Sequence, residues 1–381
     1  MRTAFVVRHL PPVGGGIGSY VEKTTRRLAA RGHDVHVFAE SAAAEPWTEI
    51  VERVTIHHLA PSRVRPNVLG RALAVDSALR RHGRFDLVQA CEWGGEASVY
   101  ALRRSAPLVT RLATPHYLVE ALNDVAPRQR RKQAASRWLE RVQTRHSDLV
   151  ISPSRVLADD VTRAWRLRRP VRVVPTGITI PEADATNLPP ELAGRAYVLY
   201  FGRLETRKGV DLWIDALPEV LTRHPDLLAV LVGEDLGFRG RPFGEYARER
   251  CGDLADRVLY LPQMDQRRLF PIIAGSQLVV MPSRWESLAN ACLEAMALGR
   301  PVLACSGSGF DEVITNGVDG FTVPSGDAGL LGQAAHAALS DPERLRRVGR
   351  AALERVRSYD LDLMTDRLLE AYRLLPGLAA A

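Results

Sequence analysis

Two trains of short β-branched runs, each run followed by a helical pattern and the trains parted by one aperiodic stretch, constrain this chain more than any other feature. In the first train a strand is predicted at residues 3–7, a helix at 19–30 and a second strand at 34–39. Further strands are predicted at 54–59, 87–90, 108–112, 149–152 and 171–174. Strands that alternate with helices in this way form a parallel sheet covered on both faces. Between Pro181 and Leu192 the periodicity fails, and Pro181, Pro189 and Pro190 cluster with polar residues, which reads as an interdomain linker. A second train follows, with strands predicted at 197–201, 228–232, 258–261, 278–281, 302–304 and 321–323, and three closing helical patterns from Asp327 onward. The expected fold class is α/β, with two Rossmann-like, doubly wound parallel-sheet domains at 1–185 and 193–358. A C-terminal helix and tail at 359–381 are expected to return to the first domain. Ligands of such sheets bind beyond the carboxyl ends of the strands, so an interdomain cleft is the expected site.

Composition narrows the class. Hydrophobic residues make up 46% and charged residues 25%, which excludes a disordered, collagenous or coiled-coil chain. No segment approaches the roughly 18 uninterrupted apolar residues of a membrane span. The opening apolar run meets Arg8 and His9 too early for a secretory signal, so a cytoplasmic setting is expected. Cys91, Cys251, Cys292 and Cys305 form no CxxC pair and read as reduced thiols rather than a disulfide framework or zinc site. The net charge of +7 divides into +11 over residues 1–190 and −4 over 191–381. No aromatic-and-basic signature or helix-turn-helix spacing accompanies the basic half, so nucleic acid is not an expected partner. The basic stretch 128–145 sets Trp138, Leu139 and Val142 among Arg128, Arg137, Arg141 and Arg145. It reads either as a solvated helix packed along one stripe or as a basic amphipathic helix in peripheral contact with an anionic membrane, at its inner face.

The candidate chemistry lies after the strands. The loop from Pro11 to Tyr20 carries Gly14, Gly15 and Gly16 before a helix, where main-chain amides and the helix N-terminus suit a phosphate. A flexible turn is the bland alternative. The dinucleotide pattern GxGxxG is not met, because its sixth place falls on Ser19 or Val21. Glu40, ending the second strand where a ribose-binding acid would sit, keeps a nicotinamide enzyme open. The second domain opens with Gly202-Arg203 and Lys208-Gly209, two cations flanking a strand-to-helix turn, and a departing diphosphate needs such fixed positive charge. Only Lys23, Lys132 and Lys208 are lysine, so Lys208 stands against a strong arginine bias. Arg207 reads as a solvated loop residue. After the strand at 278–281, Glu286 lies on a loop and Glu294 on the following helix, about 12 Å apart if helical throughout. The helix amides between them suit phosphates, and the two acids suit sugar and ribose hydroxyls. Glu92 and Trp93, after the strand at 87–90, read equally as acceptor contacts or as a tight turn with a packed indole. His116 follows another strand, where a histidine taken alone is more often structural.

Gly15-Gly16, Gly202-Arg203 with Lys208-Gly209, and Glu286 with Glu294 together resemble the retaining glycosyltransferases of family 4. These have the GT-B fold and include glycogen synthases and phosphatidylinositol mannosyltransferases. The segment Gly307-Ser308-Gly309-Phe310-Asp311-Glu312 with Asn316-Gly317 adds to the likeness, which runs from about Thr3 to Ser358. The resemblance implies a hexosyltransferase-type enzyme using a nucleoside-diphosphate sugar, with retention at the anomeric carbon, no cofactor and no metal. It implies that Gly15 and Gly16 meet the donor diphosphate, that Arg203 and Lys208 neutralise it, and that Glu294 binds the ribose. Glu286 and the amides near Leu288, Ala289 and Asn290 would hold the transferred sugar, with His116 near the reaction centre. The acceptor would be a small natural product, a saccharide or a glycolipid. Leu288 and Ala289 depart from the aromatic and glycine usual in this family. The only DxD, Asp360-Leu361-Asp362, reads as a surface coincidence. A sugar-nucleotide epimerase or hydrolase of the same fold, or a non-catalytic nucleotide-sugar-binding protein, remains an alternative.

Overall fold

A strand buried on both faces must be apolar at every position, and the central strands obey this. All six residues of Leu227–Val232 are buried. The computed structural model describes residues 1–11, 15–62, 64–123, 126–182 and 185–378. It divides into two units, one of Met1–Gly177 with Leu361–Ala381 and one of Ile178–Asp360.

The first unit contains β1 (Arg2–Val7), β2 (Asp34–Glu40), β3 (Trp47–Val51), β4 (Val54–Leu59), β5 (Leu87–Cys91), β6 (Leu108–Arg111), β7 (Leu149–Ser152) and β8 (Arg172–Val173). Their order in the sheet is β3-β4-β2-β1-β5-β6-β7-β8. Every pairing is parallel except that of β3 with β4. Alternate residues of β1 feed separate cores: Ala4 and Val6 pack on one face with Val75 and Leu79, Phe5 and Val7 on the other with Val21 and Leu28. The edge strand β3 was not expected. Its hairpin turns on Glu52 and Arg53, at φ +48° and +68°, a left-handed pair that a sequence normally signals with asparagine or glycine.

The second unit contains β9 (Ala196–Phe201), β10 (Leu227–Val232), β11 (Val258–Leu261), β12 (Leu278–Met281), β13 (Val302–Cys305) and β14 (Phe321–Val323). The sheet order is β11-β10-β9-β12-β13-β14, parallel throughout. Here too the residues alternate, with Val198 and Tyr200 in one core and Tyr197, Leu199 and Phe201 in the other.

The division differs from the predicted linker. The chain passes from one unit to the other at Gly177/Ile178 and returns at Asp360/Leu361. The proline-rich stretch belongs to the second unit, where Leu192 is fully buried and Leu188 packs against the same core. Burying one leucine contributes about 1.5–3 kcal/mol, enough to hold a loop that composition alone marks as a spacer. The helix Leu361–Tyr372 packs on the helix Gly15–Ala30 of the first unit. Tyr372 Oη donates to Gln89 Oε1 at 2.6 Å, and Gln89 Nε2 donates to Tyr20 Oη at 3.0 Å. Asp362, the last acid of the DxD triplet, pairs with Arg27 and, at 2.7 Å, with Arg31. Its carboxylate is therefore part of helix packing. No helix among the described residues is long and apolar enough to cross a membrane.

Candidate active site

In the second unit the sheet order reverses between β9 and β12, and the loops leaving these two strands carry the predicted donor residues. A topological switch point of this kind leaves a crevice that neighbouring crossovers do not fill. The loop after β9 winds through a 3-10 turn, Thr206–Lys208, into the helix Val210–Arg223. Between turn and helix Gly209 adopts φ +67°, and a Cβ there would lie 1.9 Å from the Pro282 carbonyl oxygen. Only glycine lets this turn rest on the loop that follows β12.

That loop is held from both sides. The Arg284 N–H donates to the Arg207 carbonyl at 2.9 Å, and the Arg284 guanidinium forks onto Asp211 at 2.7 and 2.6 Å. On the far side the Gly309 N–H donates to the Glu286 carbonyl at 2.9 Å, and a Cβ on Gly309 would lie 2.3 Å from the Ser287 oxygen. The Glu286 carboxylate is thereby fixed at the switch point. Its Oε1 accepts from Lys208 Nζ and from Ser283 Oγ, the latter at 2.8 Å, while Arg207 Nη1 stands 3.8 Å from Oε2. Burial alone would raise the Glu286 pKa, but the charges of Lys208 and Arg207 outweigh it and hold the carboxyl below its ordinary value. Burial draws the Lys208 pKa down, against the opposing pull of Glu286. Glu205 Oε1 bridges two arginines, Arg207 at 2.7 Å and Arg203 at 3.1 Å. Glu294, on the helix Asn290–Ala297, accepts from Gln266 Nε2 at 2.9 Å. Asn290 Oδ1 and Ser308 Oγ are buried without a hydrogen-bond partner among the described residues.

In the first unit the reversal lies between β1 and β5. Past β1, Gly15 and Gly16 are exposed at the start of their helix, and Gly15 takes φ +53° with open space where a Cβ would be. Pro12, Val13 and Gly14 of the same loop lie outside the described residues. Past β5, Gly95 takes φ +63°, and a Cβ there would be 2.5 Å from Leu139, so the helix Ala134–His146 approaches closely. This brings up the buried Glu140, which accepts the Gly94 N–H at 2.9 Å, the His116 N–H at 3.1 Å and His116 Nδ1. The carboxylate is the acceptor for a ring N–H at Nδ1. The His116 ring stacks on Trp93 with centroids 3.8 Å apart.

Comparison with known proteins bears on both halves. The family described as Glycosyltransferase Family 4 matches residues 14–180, and that described as Glycosyl transferases group 1 matches residues 195–341. The chain belongs to the family 4 glycosyltransferases. It is 28% identical to D-inositol 3-phosphate glycosyltransferase 1 of Catenulispora acidiphila, over 94% of this chain and 90% of that protein. Among solved structures it resembles sucrose-phosphate synthase of Thermosynechococcus elongatus, with TM-score 0.80, 24% identity and 100% of each chain covered. It also resembles Anabaena HepE in complex with UDP-glucose, with TM-score 0.76 and 21% identity over 98% of this chain and 100% of that one. These likenesses show the GT-B fold.

Several residues of this glycosyltransferase sit differently from expectation. Glu92 is fully buried, and both its carboxyl oxygens accept from the Ala113 N–H at 2.8–2.9 Å, so it does not reach toward an acceptor. Burial, reinforced by the charge of Glu140, pushes its pKa up to about 8, which makes it a protonated structural acid at neutral pH. Trp93 is half-buried and gives one ring face to His116, as a packed indole would. The Asn290 N–H is turned to the Leu288 carbonyl at 3.0 Å rather than outward, and Leu288 and Ala289 are buried in the core of their unit. Arg207 is not solvated, its side chain being only 7% exposed. Glu205, Ser283 and Ser308 were not anticipated. The only trace in the sequence was the position of each beside a motif residue.

Proposed function

We propose that this glycosyltransferase moves a sugar from a nucleoside diphosphate to an acceptor hydroxyl with retention at the anomeric carbon and without a metal cofactor. The observation that carries this reading is the meeting of Lys208 and Glu286 at the switch point between β9 and β12. A cation and a hydroxyl-binding carboxylate side by side suit the junction between a diphosphate and the sugar it carries. The orphaned Asn290 Oδ1 and Ser308 Oγ support a ligand rich in hydroxyls. The UDP-glucose complex of the Anabaena neighbour supports a donor of this kind.

In this reading Lys208 and Arg203 stabilise the charge that gathers on the diphosphate as its bond to the anomeric carbon breaks. The acceptor oxygen forms the new bond on the same face, and its proton passes to an oxygen of the departing phosphate. Glu294 holds the ribose and Glu286 the transferred sugar. Gly15 and Gly16 offer amides to the diphosphate, and His116 acts near the sugar. A panel of nucleotide sugars in thermal shift, followed by transfer of labelled sugar and determination of the product anomer, tests the proposal. Label found only as free or isomerised sugar would replace it with a hydrolase or epimerase. Glu294→Ala is expected to weaken nucleotide binding by about 10–100-fold, the worth of a hydrogen bond to a charged group, whereas Glu286→Ala mainly slows turnover. Equal and negligible effects from both would contradict these roles.

Peripheral contact with anionic lipid is favoured by one further observation. The helix Pro127–Lys132 buries no residue, and on the next helix Trp138 is 62% exposed alongside exposed Arg141 and Arg145. The enzyme would then work in the cytoplasm at the inner membrane face. Co-sedimentation with anionic vesicles but not with neutral ones is the expected result; equal behaviour toward both removes the reading.

A further inference from the structure

Lys208 faces two competing demands. In this structure its ammonium neutralises Glu286. A bound diphosphate requires the same ammonium, because Lys208, 23% exposed on a flexible stem, is the cation of the turn able to swing between them, whereas Arg207 is 7% exposed and tied to Glu205. Once Lys208 turns to phosphate, Glu286, 10% exposed, keeps only the Ser283 hydroxyl unless a second cation is present. Arg207 supplies one. Its guanidinium is held in place by Glu205 Oε1 at 2.7 Å and lies 3.5 Å from the Trp285 carbonyl, with Nη1 3.8 Å from Glu286 Oε2. The five donors of a planar guanidinium let it keep Glu205 and reach Glu286 together.

We propose that Arg207 is a positioning residue: it keeps Glu286 ionised and in place after the donor diphosphate has taken Lys208, so that Glu286 can hold the transferred sugar. This rests on the donor reading given above. The groups that face Glu286 or act on it are Lys208 and Arg207 from the turn, Glu205 through Arg207, Ser283 on its own loop, the Tyr200 hydroxyl of β9 and the Cys292 thiol of the following helix. Burial raises the pKa of both Tyr200 and Cys292, so both are neutral at physiological pH. With Lys208 on phosphate, Arg207 is the cation left beside the carboxylate. Removing it raises the proton affinity of Glu286 in the nucleotide complex but much less in the free enzyme, where Lys208 still pairs with it. Nucleotide binding then takes up a proton, and affinity rises as pH falls.

The test is isothermal titration with UDP or GDP, whichever gives the larger thermal shift, at pH 7.5 in two buffers of different ionisation enthalpy. Arg207→Gln is expected to take up more protons on binding than the wild type, the phosphate's own protonation cancelling in the difference. An opposite charge at this range shifts a carboxyl by about 1–3 pH units. The excess should vanish in Arg207→Gln with Glu286→Gln, and Arg207→Lys should restore the wild-type proton count. A merely structural role would lower Tm and leave the count unchanged, and an unchanged count in Arg207→Gln overturns the proposal. If the glutamine variant does not fold, Arg207→Met carries the same expectation. The donor reading fails separately: wild-type UDP affinity in Lys208→Ala sinks it, whereas loss of affinity there with an unchanged proton count in Arg207→Gln sinks only the role of Arg207.

Discussion

Replacing Lys208 with alanine is expected to lower kcat by about 10²–10³-fold, the usual cost of removing one preorganised donor from a developing oxyanion. The size follows from where Lys208 sits. The glycine after the 3-10 turn Thr206–Lys208 is pressed against Pro282, and the Lys208 side chain is 23% exposed. Once it has turned to the bound diphosphate, a charge in a site with little water needs no further rearrangement as the diphosphate departs. The variant should still fold, because Arg207 and Ser283 remain beside Glu286. Arg203→Ala should cost less, since that side chain is 53% exposed and shared with Glu205. Lys208→Arg should recover little, because a planar fork cannot occupy the place of a compact ammonium on so short a turn. Single-turnover transfer of labelled sugar measures the effect, and a rate within threefold of the wild type for Lys208→Ala would remove the diphosphate clamp from the mechanism.

The sheets could be read from the sequence because parallel strands are buried on both faces and so appear as apolar runs, as in Leu227–Val232. β3 could not, because it is an edge strand with largely exposed residues and its turn uses Glu52 and Arg53 in place of glycine or asparagine. The crossing between units was misplaced for a related reason. Proline and polar residues announce a loop, but whether Leu188 and Leu192 pack on one body or hang between two depends on partners such as Ile272, far along the chain. The positions of Arg203, Lys208, Glu286 and Glu294 after β9 and β12 were legible because each occupies a fixed offset from a strand end or a helix start. Arg207 was not, since an Arg-Lys pair in a loop is usually solvated and its reason for burial is Glu286, which only the folded chain brings within 3.8 Å. Glu92 erred the other way: an acid at a strand end looks available, yet full burial and the neighbouring Glu140 make it an internal, protonated group.

Gly209→Ala is expected to destabilise the second unit by about 3 kcal/mol or more and to abolish measurable nucleotide binding. Holding an L-residue in the left-handed region at φ +67° costs about 1–2 kcal/mol by itself. The larger part is steric. A Cβ 1.9 Å from the Pro282 carbonyl oxygen and 2.7 Å from its carbon meets backbone, which cannot rotate away as a side-chain tip would. The turn must lift off the loop after β12, and lifting it carries Lys208 away from Glu286 and strains the Arg284 N–H bond to the Arg207 carbonyl. Stability and donor affinity should therefore fall together. Gly15→Ala separates the two contributions, since Gly15 also has positive φ, +53°, but open space around the missing Cβ. That variant should lose only the cost of the left-handed backbone. Chemical denaturation with UDP titration on both variants decides the matter: a Gly209→Ala protein no less stable than Gly15→Ala would mean that the contact with Pro282 does not hold the donor cation in place.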